Sequence, residues 1–367
     1  MRQSLVAALL PLLQHSMAEY QTSELSPAQA WLHRWVIARE GTPQYHGPPA
    51  AEFSTIMRGG GGKKGRIPKI ILMTVRAVDE AVINHNDSMS TWWTLNPEYA
   101  YLMLTSGGDG KEFLKACCSD QEQLAYGLVK HGPMQADLFR AIFIREIGGI
   151  YIDQDSWLSK PLRSFVPPWA SIVTAAPAIN SSTFRTQWTF NFFASERGSP
   201  ILYYSVRHAA SLIIRQARFA CLKDHMGCRG FMNCVQNVTG TRTYNRAIEA
   251  VTRQYGCRSM ADCQSATHPM LRRLHVMTHT ELPMKHVACH GKRSGKYNLK
   301  GVCHRRNESA AHYVAIPAAS YSYYKANPRG RREKSSAPGY FNPYCEGAVP
   351  SPKDAKNPGK WRPEWWK

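Results

Sequence analysis

Between Gln135 and Asp155 the chain reads as a helix that is stopped, turned and fed straight into a strand ending in acid. Pro133 suits a first helical turn, where a missing N–H costs nothing. The helical stretch that follows is stopped by Gly148-Gly149, which lets the backbone reverse tightly. Ile150-Tyr151-Ile152 is a short strand, and it delivers Asp153-Gln154-Asp155. In open α/β sheets ligands bind at the carboxyl ends of strands, which is where these aspartates fall. Alternation along an extended chain points Asp153 and Asp155 the same way, giving two hard oxygen donors for one divalent cation. Asp137 and Arg140, three apart on the helix, share one face. A bare D-x-D is equally a solvated strand end or a helix cap. Joined to D-x-x-R, a glycine stop and an aromatic strand, it is far more specific.

The rest of the chain supports the same class. Ile67-Pro68-Lys69-Ile70-Ile71-Leu72-Met73-Thr74-Val75 is mostly apolar and does not alternate, as expected of a strand buried on both faces of a parallel sheet. A helical stretch through Trp92-Trp93 breaks at Asn96-Pro97. A strand is expected over 99–104, and helices over 110–117, 121–131 and from Pro133. Further strands are expected at 172–174, 189–193 and 274–277, and helices at 200–219 and 244–255. Strand and helix alternate, so the class is α/β with a mostly parallel central sheet flanked by helices. Before this region, residues 19–40 hold one helix. From Gly41 to Arg66 the composition turns to Pro and Gly and reads as a flexible connector.

Charge and cysteine usage bear on compartment and partners. The 367 residues carry a formal charge of +20, from 46 Lys+Arg against 26 Asp+Glu. Such a surplus suggests an acidic partner. It is uneven: residues 290–367 hold 16 Lys/Arg against 5 Asp/Glu, and residues 326–367 hold 9 against 4. That last stretch is Pro-rich, contains Trp361, Trp365 and Trp366, and lacks apolar periodicity, so it is expected to be extended or disordered in isolation. No apolar run approaches the ~20 residues that span a bilayer. The ten cysteines form no C-x-x-C pair, and seven of them (Cys221, Cys228, Cys234, Cys257, Cys263, Cys289 and Cys303) are too widely spaced for a zinc ribbon or finger. Disulfides in an oxidising compartment fit better. Arg2, the apolar stretch Leu5–Leu13 and Ser16-Met17-Ala18 are similar to a short signal peptide cleaved after Ala18, or equally form an amphipathic first helix. Sequons at Asn86, Asn180, Asn237 and Asn307 point the same way as the cysteines.

Over about 67–325, and most of all over 133–156, the sequence resembles the DXD-containing glycosyltransferases with a GT-A fold. These include fungal α-1,6-mannosyltransferases, Golgi α-1,4-glycosyltransferases and, more distantly, clostridial toxin glucosyltransferases. Ile67-Pro68-Lys69-Ile70-Ile71 resembles the family's opening strand, and Trp92 or Trp93 with Asn96-Pro97-Glu98-Tyr99 its segment before the second. Asn191-Phe192-Phe193-Ala194 with Gly198-Ser199-Pro200, and Thr239-Gly240, resemble later motifs. Leu72 and Val75 stand where many members have His and Trp, Ser199 replaces a common His, and Thr241 a common Pro.

The resemblance implies a metal-dependent, retaining glycosyltransferase that moves a hexose from a nucleotide-sugar donor to a glycan or glycoconjugate hydroxyl. It implies that Asp153 and Asp155 bind Mn²⁺ or Mg²⁺ and the nucleotide diphosphate, and that His312 completes the metal site. Asp137 and Arg140 would hydrogen-bond the donor sugar, Tyr151 would pack on the donor, and Asn191 would line the sugar or acceptor side. The expected division is a signal peptide at 1–18, a helix and Gly-rich linker at 19–66, a glycosyltransferase domain at 67–325 and a basic tail at 326–367. The expected location is the secretory pathway, in the Golgi lumen or secreted, with the tail contacting an anionic surface and no specific nucleic acid bound. The alternative is a polyanion-binding protein, for nucleic acid or acidic glycan, built on an altered glycosyltransferase-like scaffold.

Overall fold

The computed structural model describes residues 25–57, 66–129, 132–154, 156–176, 190–223, 235–257, 260–278 and 281–286. Helix α1 (Pro27–Arg39) starts on a capping box, in which Ser26 and Gln29 satisfy each other's backbone N–H groups. Strand β1 (Tyr45–His46) and helix α2 (Ala50–Met57) follow. Then come β2 (Ile70–Val75), α3 (Val78–Leu95), β3 (Ala100–Thr105), α4 (Asp109–Cys117) and α5 (Asp120–Leu128). The segment that opened the sequence analysis forms α6 (Gly132–Ile147) and β4 (Gly149–Ile152). Strands β5 (Ser156–Leu158), β6 (Ile172–Ala176) and β7 (Phe192–Ser195) lead to the long helix α7 (Pro200–Lys223). After a π-helical turn at Val235–Thr239 come α8 (Thr241–Gln254), α9 (Met260–Cys263), β8 (Leu274–Thr278) and β9 (Met284–His286).

Seven strands form one sheet in the order β1-β3-β2-β4-β7-β6-β8, and β5 pairs with β9 in a small second sheet. Strand β2 is parallel to both β3 and β4, and β6 is parallel to β8. Strand β7 runs antiparallel between β4 and β6, and β1 lies antiparallel on the outer edge of β3. The sheet is thus mostly parallel and flanked by helices, as expected. The unalternated run in β2 is explained by its surroundings. Ile70 and Leu72 face one apolar cluster with the α6 side chains Leu138, Phe139 and Ile142, while Ile71, Met73 and Val75 face a second with Met89 and Trp92 of α3. All six β2 residues are buried.

One expectation is corrected. Residues 41–57 are not a connector: β1 pairs Tyr45 with Leu102, and α2 inserts Phe53, Ala50 and Met57 into the core beside α1. The local Pro and Gly mark turns around these short elements. The glycine run at 59–62 lies outside the described residues, as do residues 1–24 with the candidate signal peptide and the tail. Strand pairing ends at Ile152, and the Ser156 N–H donates to the Asp153 carbonyl at 3.0 Å. The expected common orientation of Asp153 and Asp155 involves residue 155, which lies outside the described residues.

The glycine pair has a steric reason as well as a conformational one. Gly148 and Gly149 have φ of +82° and +111°. A Cβ on Gly148 would lie 2.9 Å from Pro68 and from the Arg197 nitrogen, and one on Gly149 would lie 2.7 Å from the Ile70 carbonyl oxygen. Only glycine brings β4 this close to β2 directly out of a helix. A disulfide joins Cys257 to Cys263 and ties the end of α8 to α9, while Cys117 and Cys118 are free thiols. Among the described residues, no helix is long and apolar enough to cross a membrane.

Candidate functional site

Parallel pairing of β2 with β3 and β4 brings Thr74, Thr105 and Asp153 to one end of the sheet. Onto this rim α6 turns Asp137 and Arg140, whose three-residue spacing produces a 2.9 Å ion pair between Asp137 Oδ1 and Arg140 Nη2. The other terminal nitrogen, Nη1, donates to Asp153 Oδ1 at 3.0 Å and to the Phe190 carbonyl at 2.9 Å. Arg140 Nε donates to the Ala136 carbonyl at 3.3 Å. The guanidinium lies flat on aromatic rings, its carbon 4.1 Å from the Tyr151 centroid and 5.2 Å from that of Phe190. Arginine suits this place because one planar fork serves several acceptors at once.

Tyr151 is fully buried, and its hydroxyl donates to Asp153 Oδ1 at 2.6 Å and lies 3.3 Å from Thr74 Oγ1. Burial raises the phenol well above its ordinary range, so it is a donor at any working pH. Arg140 lies over the ring, which also stacks with Phe193 at 5.6 Å. The expected packing of Tyr151 on a donor is therefore corrected. Its ring belongs to the core, and only its hydroxyl reaches the rim, through Asp153.

Asp137 is buried, and burial pushes its carboxyl up to about 6. Arg140 pulls the other way, the Asp153 charge pushes upward, and a 3.2 Å hydrogen bond from Thr239 Oγ1 to Asp137 Oδ2 pulls down. Asn191 enters at the start of β7, where its carbonyl accepts the Asp153 N–H at 3.1 Å. Asp137, Arg140, Tyr151, Asp153 and Asn191 are thus brought together. Asp155 and His312 lie outside the described residues.

Helix α3 brackets the turn after β4. Ser88 Oγ donates to the Gln154 carbonyl at 2.9 Å, Trp92 Nε1 donates to the Ser156 carbonyl at 2.8 Å, and Thr91 Oγ1 accepts the Leu158 N–H at 3.0 Å. Of the two tryptophans that resembled a family motif, Trp92 is the one anchored here, while Trp93 stacks on His46 at 4.2 Å. Sequence reasoning did not single out Thr74, Ser88 or the Phe190 carbonyl. Their partners lie 50 to 77 residues away along the chain, and no local pattern announces them.

The rim suits a hard divalent cation in one respect. Asp153, with 27% of its side chain exposed, presents a carboxylate whose orientation is set by two donors on Oδ1. Among the described residues no cluster of three His, Cys, Asp or Glu side chains surrounds it.

Residues 83–174 match the family described as a glycosyltransferase sugar-binding region containing a DXD motif. The matched region holds Asp137, Arg140, Tyr151 and Asp153, together with the α3 residues that bracket the turn. A solved structure named PaToxG glycosyltransferase resembles the chain at 14% sequence identity and a TM-score of 0.32, covering 56% of this chain and 77% of that one. No curated protein matches the chain.

Proposed function

We propose that this chain, which carries the sugar-binding region of the DXD-containing glycosyltransferases, is a metal-dependent retaining hexosyltransferase. It takes a hexose from a nucleotide sugar and gives it to a hydroxyl of a glycan or glycoconjugate. The observation that supports this best is the joining of Asp137, Arg140 and Asp153 through one guanidinium at the carboxyl end of β4, inside the matched region.

In this reading Asp153 and Asp155 hold Mn²⁺ or Mg²⁺ with the diphosphate, and His312 completes the set. The cation, when bound, neutralises charge on the departing nucleotide diphosphate. The protein's own groups do the rest. Arg140 supplies a fixed positive charge at the rim, held in a desolvated aromatic setting where it acts more strongly than in water. Asp137 accepts from donor-sugar hydroxyls, and its pairing with Arg140 keeps it ionised at neutral pH despite burial. Tyr151 and Thr74 fix the rotamer of Asp153. Asn191 lines the sugar or acceptor side from β7. Retention of anomeric configuration is proposed on the family resemblance.

The domain carrying this activity, expected at 67–325 from sequence, is proposed to include α1, β1 and α2 as well, because β1 pairs with β3 and both helices pack into the same core. The secretory pathway, Golgi lumen or outside, is the proposed location, with the basic tail from residue 326 against an anionic surface. The test is direct: purified protein is incubated with Mn²⁺ and a panel of nucleotide sugars, and hydrolysis or transfer is measured. Turnover that Asp155→Ala abolishes, with stability held within about 1 kcal/mol, supports the proposal. A well-folded protein that turns over no donor overturns it.

A further inference from the structure

We infer that Thr239, which lies outside the matched region, is a positioning residue that aims the Asp137 carboxylate at the donor subsite. This rests on the function proposed above. Thr239 ends the π-helical turn Val235–Thr239 and is followed by Gly240, the N-cap of α8. It is 2% exposed, and its hydroxyl donates to Asp137 Oδ2 at 3.2 Å while Arg140 holds Oδ1 at 2.9 Å. One carboxylate is thereby gripped at both oxygens by groups from different parts of the chain. Two-point fixation sets the plane of the carboxylate as well as its place, which a single ion pair does not.

The turn that carries Thr239 is itself braced. Thr243 Oγ1 donates to the Asn237 carbonyl at 2.7 Å, and Val238 and Tyr244 are buried in the core cluster that also receives α6. Tyr244 in turn packs on Phe190 at 4.8 Å and on Phe193 at 5.6 Å. The hydroxyl therefore reaches Asp137 from a rigid support. Rigid support is what a positioning group needs, because a donor displaced by 1 Å holds nothing in place. The groups facing Asp137 are Arg140 on its own helix, Asp153 just past the end of β4 and Thr239 itself.

The experiment compares the full-length protein with Thr239→Val, Thr239→Ser, Asp137→Asn and the Thr239→Val/Asp137→Asn double variant. Donor hydrolysis is followed with UDP-glucose, UDP-galactose, UDP-N-acetylglucosamine and GDP-mannose in Mn²⁺, and melting temperatures are recorded. Valine keeps the shape and removes the hydroxyl. The expected result is a loss of about tenfold in kcat/KM, carried mainly by donor KM, as for a lost hydrogen bond to a charged group. Serine restores most of it, and valine costs nothing further once Asp137 is already asparagine. A Thr239→Val enzyme as active as the original, or one that loses equally on the Asp137→Asn background, overturns the inference.

If the original protein hydrolyses none of these donors, the proposed function falls, and the carboxyl ¹³C titration of Asp137 decides the role of Thr239 separately. A midpoint that rises above that of the original protein in Thr239→Val and returns in Thr239→Ser supports the two-point grip. A midpoint unmoved by valine overturns it.

Discussion

Arg140 Nη1 lies 3.0 Å from Asp153 Oδ1, so a helix side chain and a strand-end side chain thirteen residues apart share one charge contact. The same guanidinium also neutralises Asp137, whose side chain, like its own, is about nine-tenths buried. Burial on that scale makes the contact costly to break and sensitive to the shape of the cation.

Arg140→Ala leaves the Asp137 carboxylate buried without its cation. Removing one partner of a buried pair costs roughly 3 kcal/mol or more. The expected outcome is a drop of that size in unfolding free energy, read from urea titrations at pH 7.5. Arg140→Lys keeps a charge but not the fork, so it recovers part of the stability and little of the donor turnover.

Asp137 gives stability a specific pH dependence. Its carboxyl is raised from 3.8 to about 6, chiefly by burial, so between those values the folded state holds a proton that the unfolded state has lost. That contribution is fully present below 3.8 and disappears as pH rises through about 6. Relative to Asp137→Asn, the original protein therefore gains in melting temperature on going from pH 7 towards pH 4. Donor turnover falls over the same interval, because a neutral Asp137 no longer pairs with Arg140.

His33 works in the opposite direction. It is 2% exposed on α1, and neither ring nitrogen has a hydrogen-bond partner among the described residues. Burial, with Arg34 nearby, lowers its pKa below 6.5. The unfolded chain then takes up the proton first as pH falls, and stability drops below about pH 6.5. His33→Leu removes this acid-side loss and two buried ring nitrogens that have no partner among the described residues. Its melting temperature is expected to equal or exceed the original at pH 7.5, with the advantage widening at pH 5.5.

Gly149→Ala places a Cβ 2.7 Å from the Ile70 carbonyl, at a φ of +111° that L side chains rarely adopt. Relief requires β4 to move off β2, and strain of this kind costs about 1–3 kcal/mol before the lost strand pairing is counted. A reduced melting temperature together with lost donor turnover is the expected pair of readouts. Turnover at the original level in a variant of normal stability contradicts the fixed strand spacing.

The α6–β4 segment was legible in sequence because its features are local. The helix stop, the strand and the spacing of Asp137 from Arg140 are all set within about twenty residues. The run in β2 was legible because burial on both faces leaves an apolar stretch without period. The reversal of β7 was not: Phe192 and Phe193 face different clusters, so the strand is apolar on both sides whichever way it runs. Residues 41–57 were misread because β1 has only two residues and α2 only eight, too short for a period to emerge among Pro and Gly. The turn after Ile152 escaped notice because its anchors, Ser88 and Trp92, lie 64 to 66 residues upstream.

The two grips on the α6 acid–base pair differ most in how much chain each must close. Arg140 reaches Asp153 across a separation of 13 residues, while Thr239 reaches Asp137 across 102. At about 0.6 kcal/mol per doubling of loop length, the shorter closure is favoured by roughly 1.8 kcal/mol before any other contact forms. The charge contact therefore belongs with the low-contact-order events of folding, and the hydroxyl with the late docking of the chain that leads into α8. Because synthesis runs from the N-terminus, Arg140 and Asp153 both leave the ribosome well before Thr239 does.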